Sequence, residues 1–275
     1  MLLQRILTAI PLACLVIWLI LFQPTDVFAY LLAVVSLIAG FEWSRLCGYR
    51  KKWIHLGFAL LVTAVSVFFV LHAAQFIIWL VYSAVVFWLV ITLKIKSMRP
   101  QENLLLSSPG KILIGLIVIP ATVLSMWSVH KSINGAEWLM YGLALIWVAD
   151  IGAYFSGKRF GKNKLAERIS PGKTIEGLLG ALVLTSLYTL LSAYYFGLNT
   201  IQIISLMLIS LVLTIISVVG DLYESTLKRE VGLKDSGTIL PGHGGILDRI
   251  DSVLAAMPVF SVSLHFFIHP VYGAM

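Results

Sequence analysis

Nine mostly apolar stretches, each about 20 residues long, follow one another along the chain with short polar segments between them. A helix of about 20 apolar residues spans the hydrocarbon core of a bilayer. The pattern therefore predicts an all-α, polytopic membrane protein with nine transmembrane helices in a single domain covering residues 1–275. The predicted spans are residues 5–22, 26–44, 53–71, 76–93, 112–129, 137–156, 175–196, 201–221 and 250–268.

The first two spans allow two other interpretations. Only residues 23–25 separate them, so a re-entrant pair is an alternative to two crossings. A signal peptide ending at residues 27–29 is disfavoured, because the apolar stretch is too long and Arg5 is its only basic flanking residue.

The basic residues indicate how the chain is oriented. With a cytoplasmic N-terminus, every Lys and Arg except Lys131 falls on the cytoplasmic side, as is typical of membrane proteins. The sequence therefore predicts a cytoplasmic N-terminus and a C-terminus on the opposite side of the membrane. This topology explains most of the net charge of +7, so anionic lipid headgroups are secondary partners and nucleic acid is not expected as a partner.

Composition narrows the class of protein further. With 59% hydrophobic and 12% charged residues, the chain is not a soluble globular domain. Cys14 and Cys47 lack CxxC spacing, so neither a disulfide nor a zinc site is indicated.

The polar chemistry is concentrated in the second half of the chain. Residues 1–111 are predicted to be mainly hydrophobic scaffold spans, and residues 112–275 a catalytic half with a site facing the cytoplasm. In the first half, Glu42 and Arg45 lie three positions apart and are interpreted as a local helix pair.

Asp150 lies inside the sixth span, where an ionisable side chain is costly and is expected to face the protein interior. Tyr154 and Gly157 share its helix face. The favoured interpretation is a polar active cavity; the alternative is a buried Asp satisfied by hydroxyls or a neighbouring helix.

The following loop, residues 156–174, is rich in basic residues and ends in Ser170-Pro171-Gly172-Lys173-Thr174. A P-loop is excluded, because position 167 is Glu where that motif needs Gly, and because no strand is predicted before it. Ser170 or Thr174 is instead expected to cap span seven, with Lys173 and the helix amides facing an anion. An ordinary basic loop with a helix cap is the alternative.

Acidic residues mark the end of span eight and the start of span nine. Asp221 and Glu224 share a helix face with Lys228, and Asp248 and Asp251 are three positions apart. A loop of about 25 residues can bring these two helix ends together, and carboxylates with phosphate oxygens are typical Mg²⁺ ligands. Alternatively, acids of this region pair with Arg229, Lys234 and Arg249, an interpretation favoured only for Glu230 and Asp235.

The segment between the two acidic helix ends is rich in glycine. Residues 241–245, Pro-Gly-His-Gly-Gly, permit positive φ and close approach of the backbone to a ligand. The amides before span nine are expected to suit phosphate. His243 is interpreted as either a proton carrier or an organiser of the loop.

At these residues the chain resembles the phosphatidate cytidylyltransferase family. The family signature is matched at Ser225, Leu227, Lys228, Arg229, Lys234, Asp235, Gly237, Leu240, Pro241, His243, Gly244, Gly245, Ile246, Asp248, Arg249, Ile250 and Asp251. The segment from Asp150 to Lys173 is also similar to the family, so the strong resemblance covers residues 150–251.

The resemblance implies that CTP and phosphatidic acid are converted to CDP-diacylglycerol and pyrophosphate with Mg²⁺, in the inner membrane and often by a homodimer. With the residue patterns it gives an expected site. The expected catalytic residues are Asp221, Asp248, Lys173, Lys228 and Arg229; the substrate-binding residues Ser170, Lys158, Lys234, His243, Gly244, Gly245, Arg249 and Asp150; and the ligands of one or two metal ions Asp221, Asp248, Asp251 and Glu224.

Two rival functions remain open at the level of sequence. One is transfer of the CTP-derived group to another membrane lipid, such as a polyprenol phosphate or an archaeal ether lipid. The other is a transporter or channel with Asp150 in an ion path, which does not account for the glycine-rich segment.

Overall fold

The computed structural model describes residues 2–95, 107–240, 242 and 244–268. Within these ranges the chain forms nine α-helices, one 3-10 turn at Ala74–Phe76 and one two-stranded sheet. The helices are α1 (Leu2–Phe22), α2 (Thr25–Leu46), α3 (Lys52–His72), α4 (Ile77–Lys94), α5 (Ser108–Lys131), α6 (Gly135–Phe160), α7 (Ile175–Tyr195), α8 (Thr200–Glu230) and α9 (Leu247–Phe267). The strands β1 (Lys164–Ala166) and β2 (Ser170–Thr174) lie between α6 and α7.

The predicted membrane architecture is confirmed. Among the described residues, the eight helices α2 to α9 are long and apolar enough to cross a membrane. In α1, the part with described side chains, Ile10–Phe22, is apolar as well. The helices α1 and α2 are separate, and Pro24 stands at the break between them.

Contacts between helix ends establish the relative directions of α1, α2 and α5. His130, at the end of α5, lies 2.9 Å from the Ile20 carbonyl in α1 and 2.9 Å from the Thr25 hydroxyl at the start of α2. At the other end of the bundle, the indole of Trp43 in α2 donates to the carbonyl of Lys111 in α5 over 2.9 Å. We call this second end, which contains Trp43 and Lys111, the basic end.

Helix α8 is longer than a membrane crossing requires. Its 31 residues extend about 46 Å at 1.5 Å per residue, whereas the hydrocarbon core is about 30 Å across. Thr200–Gly220 accounts for the crossing, so Asp221–Glu230 projects beyond it at the basic end. The predicted span, 201–221, identified the crossing but not this extension.

The hairpin β1–β2 is an addition to the all-α fold that the sequence did not predict. Its strands are antiparallel, with Lys164 opposite Thr174 and Ala166 opposite Ser170. The Thr174 hydroxyl accepts a hydrogen bond from the Gly177 amide at 3.1 Å, which caps α7. Of the two residues predicted to cap this helix, Thr174 does so, while Ser170 begins the strand.

The hydrophobic core runs through both halves of the chain. Tyr223 of α8 is buried against the rings of Trp88 and Phe87 from α4, with centroid distances of 5.6 and 5.4 Å. Trp43 of α2 packs on the same tyrosine at 6.4 Å. The helix that carries the acidic residues is therefore held by helices of the first half.

Candidate active site

Helices α8 and α9 meet closely where their acidic residues lie. A Cβ atom on Gly220 would come within 2.6 Å of the Asp251 carbonyl oxygen and 2.8 Å of the Ala255 Cβ. Only glycine permits this approach of the two backbones. The next residue, Asp221, therefore lies beside the first turns of α9. The sequence analysis predicted that the loop would bring these two helix ends together.

Lys228 joins the two helices through their carboxylates. Its Nζ donates to Glu224 Oε2 at 3.2 Å on its own helix and to Asp248 Oδ1 at 2.7 Å on α9. The side chains are 11%, 2% and 6% exposed, respectively. Glu224 Oε1 is buried and has no hydrogen-bond partner among the described residues. The cluster therefore holds one acceptor atom that the protein leaves unused.

A second ion pair lies in the more open part of the site. The Lys173 ammonium is 2.5 Å from Asp221 Oδ2, and the two side chains are 24% and 31% exposed. The Ser225 hydroxyl donates to the other oxygen of Asp221 at 3.2 Å. Strand β2 holds Lys173, so the hairpin is attached to α8 by this ion pair.

Asp150 lies near this second ion pair. Its side chain is exposed, in agreement with the interpretation as a residue of a polar cavity more than with that of a fully buried Asp. It interacts electrostatically with Lys173, Asp221 and Arg249. The structure therefore brings Asp150 within electrostatic range of Lys173 and Asp221.

The carboxylate of Asp248 is surrounded by donors. Its Oδ2 accepts from the Ser236 amide at 2.8 Å and the Gly245 amide at 2.8 Å, and the Ser236 hydroxyl oxygen lies 3.0 Å away. Gly244 adopts a φ of +83°, and a Cβ there would lie 2.5 Å from Asp248 Oδ2. The glycine-rich segment is thus wrapped around a side chain of the protein itself.

Glu42 is the residue of this site that the sequence analysis misinterpreted. Its side chain is completely buried, and it reaches from α2 to the start of α9. Oε1 accepts from the Ile246 amide at 3.2 Å, and Oε2 accepts from the Leu247 amide at 2.9 Å and the Ser236 hydroxyl at 2.8 Å. The interpretation as a local pair with Arg45 is therefore wrong.

These contacts also correct the expectation that the amides before α9 face phosphate. The amides of Gly245, Ile246 and Leu247 donate to the carboxylates of Asp248 and Glu42. The chain thus provides the anions for its own helix terminus. One feature of the sequence could have indicated this role of Glu42. It is an acid at the end of an apolar span, on the same side of the membrane as the acidic ends of spans eight and nine.

The remaining predicted cations of the site, of which Arg229 was expected to be catalytic and the others substrate-binding, have exposed side chains. Lys158 is exposed, with its ammonium 5.8 Å from the centre of the Tyr154 ring. Arg229 is exposed at the end of α8, and its Nη1 donates to the Leu233 carbonyl at 3.4 Å. Lys234 and Arg249 are exposed as well.

Two remaining predictions have different outcomes. His243 lies outside the described residues, so its interpretation stays a prediction. Glu230 forms an ion pair, as expected, but its partner is Lys111 of α5 instead of Arg229, Lys234 or Arg249.

A family model for the cytidylyltransferase family matches residues 3–267, almost the whole chain. The chain belongs to the cytidylyltransferase family. Two similar bacterial proteins are each named phosphatidate cytidylyltransferase. The one from Pseudomonas aeruginosa is 36% identical over 269 residues, 96% of this chain and 97% of that protein. The one from Haemophilus influenzae is 36% identical over 291 residues, 98% of this chain and 100% of that protein.

The family match also covers the first half of the chain. The resemblance found from motifs was strong over residues 150–251, whereas the family model also includes α1 to α5. The contacts of Glu42 in α2 with Ser236 and Leu247 are therefore made between two parts of one family unit.

The site offers carboxylate oxygens, which are the ligand type that a hard divalent cation prefers. Asp221 is accessible, and Asp251 interacts electrostatically with it and with Lys173. No group of three or more His, Cys, Asp or Glu side chains is arranged to hold a metal within the described ranges. Mg²⁺ commonly needs only one or two carboxylates with waters and substrate phosphates. The unused oxygen of Glu224 adds one further acceptor beside them.

Proposed function

We propose that this chain transfers the cytidylyl group of CTP to phosphatidic acid, giving CDP-diacylglycerol and pyrophosphate for phospholipid synthesis. The observation that carries the proposal is the accessible Lys173–Asp221 pair beside the buried Lys228 cluster, where α8 leaves the membrane crossing. Membership of the cytidylyltransferase family and two relatives named phosphatidate cytidylyltransferase support the identity of both substrates.

The position of the site explains how a membrane lipid and a soluble nucleotide could meet. Phosphatidate lies in the leaflet with its phosphate near the level of Asp221, and CTP enters from the aqueous side of the basic end. We place that end in the cytoplasm, because the basic residues predict this orientation. An inner-membrane location and a homodimer complete the proposal, and the family resemblance supports both.

The reaction is an in-line displacement at the α-phosphorus of CTP. A phosphatidate oxygen forms the new P–O bond, the bond to the β-phosphate oxygen breaks, and pyrophosphate leaves with that electron pair. The nucleophile is already an anion, so the proposal needs no covalent enzyme intermediate. Catalysis then consists of positioning the reactants and neutralising their charge.

The side chains divide this work between them. Lys173, Lys228 and Arg229 would hold phosphate oxygens, with Lys234 and Arg249 as further cations at the rim. The proposed magnesium ligands are Asp221 and Asp248, with Asp251 and Glu224 beside them; bound Mg²⁺ would neutralise phosphate charge. Asp221 is the more accessible of the two principal ligands, while Lys228 and Ser236 occupy Asp248.

The test is conversion of labelled CTP by the purified protein in mixed micelles of detergent and phosphatidate, with and without Mg²⁺. We expect a chloroform-soluble cytidine product that requires both. Asp221→Asn should reduce turnover by about 100-fold or more, as loss of an electrostatic catalytic group does. Lys131→Gln is the matched control at the opposite end of the bundle and should retain normal activity.

Two results would contradict the proposal. Product formation with polyprenol phosphate but not with phosphatidate would change the acceptor lipid. No lipid product from a folded sample, together with ion or solute flux in vesicles, would favour a transporter. Near-normal turnover by Asp221→Asn would remove Asp221 from the site.

A further inference from the structure

Glu42 acts as the N-terminal cap of a helix to which it does not belong. Ile246 is the N-cap position of α9, and its own side chain makes no capping hydrogen bond. The amides of Ile246 and Leu247 donate instead to the two carboxylate oxygens of Glu42. A negative charge at this position is favoured by the helix dipole, and it satisfies amides that have no partner within the helix.

A single hydroxyl connects this cap to the proposed active site. Ser236 Oγ lies 2.8 Å from Glu42 Oε2 and 3.0 Å from Asp248 Oδ2, while the Ser236 amide donates to the same Asp248 oxygen. Asp248 in turn receives the Lys228 ammonium. Glu42 is therefore two contacts away from the cation bridge between α8 and α9.

The space around the carboxylate shows that this arrangement is built into the loop. A Cβ on Gly237 would lie 2.2 Å from Glu42 Oε1, and a Cβ on Gly245 would lie 2.3 Å from Oε2. Both glycines therefore let the loop backbone pack directly against the carboxylate. Any side chain at either position would displace it.

The donors around Glu42 require a carboxylate and not merely a polar side chain. Three donors, two amides and one hydroxyl, share its two oxygens. A glutamine has only one acceptor atom, and its NH₂ group would face a donor. Hydrogen bonds to a charged acceptor are also stronger than those to a neutral one.

From this arrangement we propose that Glu42, in the first half of the chain, is a positioning residue for the cytidylyl-transfer site. It fixes the 236–247 segment and the start of α9, and thereby orients the Asp248 carboxylate and Lys228. The inference rests on the proposed function for its catalytic consequence. Its structural part, the immobilised loop, holds whatever the reaction is.

The first measurement is hydrogen exchange of the purified protein without substrate, followed by mass spectrometry of peptides covering residues 244–250. In Glu42→Gln we expect exchange of the Ile246 and Leu247 amides to accelerate roughly tenfold or more, because only one acceptor atom remains for the two amides. In the CTP assay, kcat should fall roughly tenfold or more, while KM for phosphatidate changes by less than about twofold.

A double-mutant cycle then tests whether Glu42 acts through Ser236. Ser236→Ala alone should reduce kcat, and combined with Glu42→Gln it should cost much less than the product of the two single effects. Ser217→Ala is the matched control, because that buried hydroxyl donates to the Thr214 carbonyl of its own helix. Its combination with Glu42→Gln should be multiplicative.

Each outcome decides a separate point. Unchanged exchange in Glu42→Gln, or a multiplicative Glu42–Ser236 pair, overturns the positioning role. Faster exchange in a chain whose wild type makes no lipid product from CTP refutes the proposed function but leaves the role of Glu42 intact. If Glu42→Gln does not fold, Ser236→Ala alone must still accelerate exchange at residues 244–250, and normal exchange there overturns the inference.

Discussion

At the scale of single residues, each acid of the site has different partners, and these determine what its loss would cost. Asp221 is partly exposed and contacts one lysine and one hydroxyl. The Asp248 side chain is 6% exposed and receives the Lys228 ammonium together with hydrogen bonds from two loop amides. Asp221 and Asp248 are both proposed metal ligands, but Asp248 should contribute more to the stability of the fold.

Asp248→Asn is expected to destabilise the protein, whereas Asp221→Asn is not. Replacing Asp248 leaves Lys228 with one fewer counter-charge and turns an acceptor atom into a donor that faces other donors. The cost should be about 3–5 kcal/mol, as for breaking a buried ion pair. Thermal unfolding in detergent measures this difference; equal midpoints for both variants would contradict it.

The roles of these acidic residues could be predicted from the sequence to different extents. The spacing of Asp221, Glu224, Asp248 and Asp251 indicated an acidic cluster, and the structure brings the two helix ends together. The role of Glu42 could not be predicted, because its partners follow more than 190 positions later and no local pattern marks them. A buried acid near an arginine on one helix gives the same signal as an ordinary ion pair.

At the scale of elements, the apolar stretches located the membrane crossings but did not predict the extension of α8 or the β1–β2 hairpin. Leu222–Glu230 continues α8 because its residues favour helix, although they no longer form an apolar run. The hairpin has strands of three and five residues, and Pro171 and Gly172 in β2 are typical of turns. Such short strands carry too little alternation for a prediction.

The close approach of α8 and α9 should depend on Gly220. In Gly220→Val the side chain would contact the Asp251 carbonyl and Ala255, so the helices must separate and the acidic residues move apart. We expect a loss of CTP turnover of roughly tenfold or more, as misplacement of catalytic groups causes. Gly57→Val, where a Cβ meets no atom within 4 Å, is the control.

Turnover assays of both variants, each normalised to the folded fraction, test this expectation. If Gly220→Val and Gly57→Val retained equal activity, the close packing of α8 on α9 would not be what positions the acidic residues. Reduced activity of both variants would point instead to a general effect of valine in these helices.

At the scale of the whole molecule, the contacts of His130 and of Lys111 place alternate helix ends on opposite sides of the bundle. The basic residues predict which of these sides faces the cytoplasm. The relative directions of α1, α2 and α5 are thus observed, and the orientation in the membrane is a prediction. It decides from which compartment CTP must arrive.

Cysteine labelling in intact cells tests the orientation. Cys14 and Cys47 are first replaced by serine, and single cysteines are then introduced at Lys131 and Arg168. We expect an impermeant thiol reagent to label Lys131→Cys from outside and Arg168→Cys only after the membrane is opened. The reverse pattern would place the proposed site on the wrong side for cytoplasmic CTP.

Because of the length of α8, the proposed activity should depend on the thickness of the bilayer. The Asn199–Gln202 capping box fixes where the helix begins, and the 21 residues Thr200–Gly220 set how far along its axis Asp221 lies. A host membrane with longer acyl chains would draw Asp221 below the plane of the lipid phosphates, unless the helices tilt less or the bilayer thins around them. The same chain would then meet its lipid at a different depth in each membrane, so its activity should follow hydrophobic mismatch as well as substrate concentration.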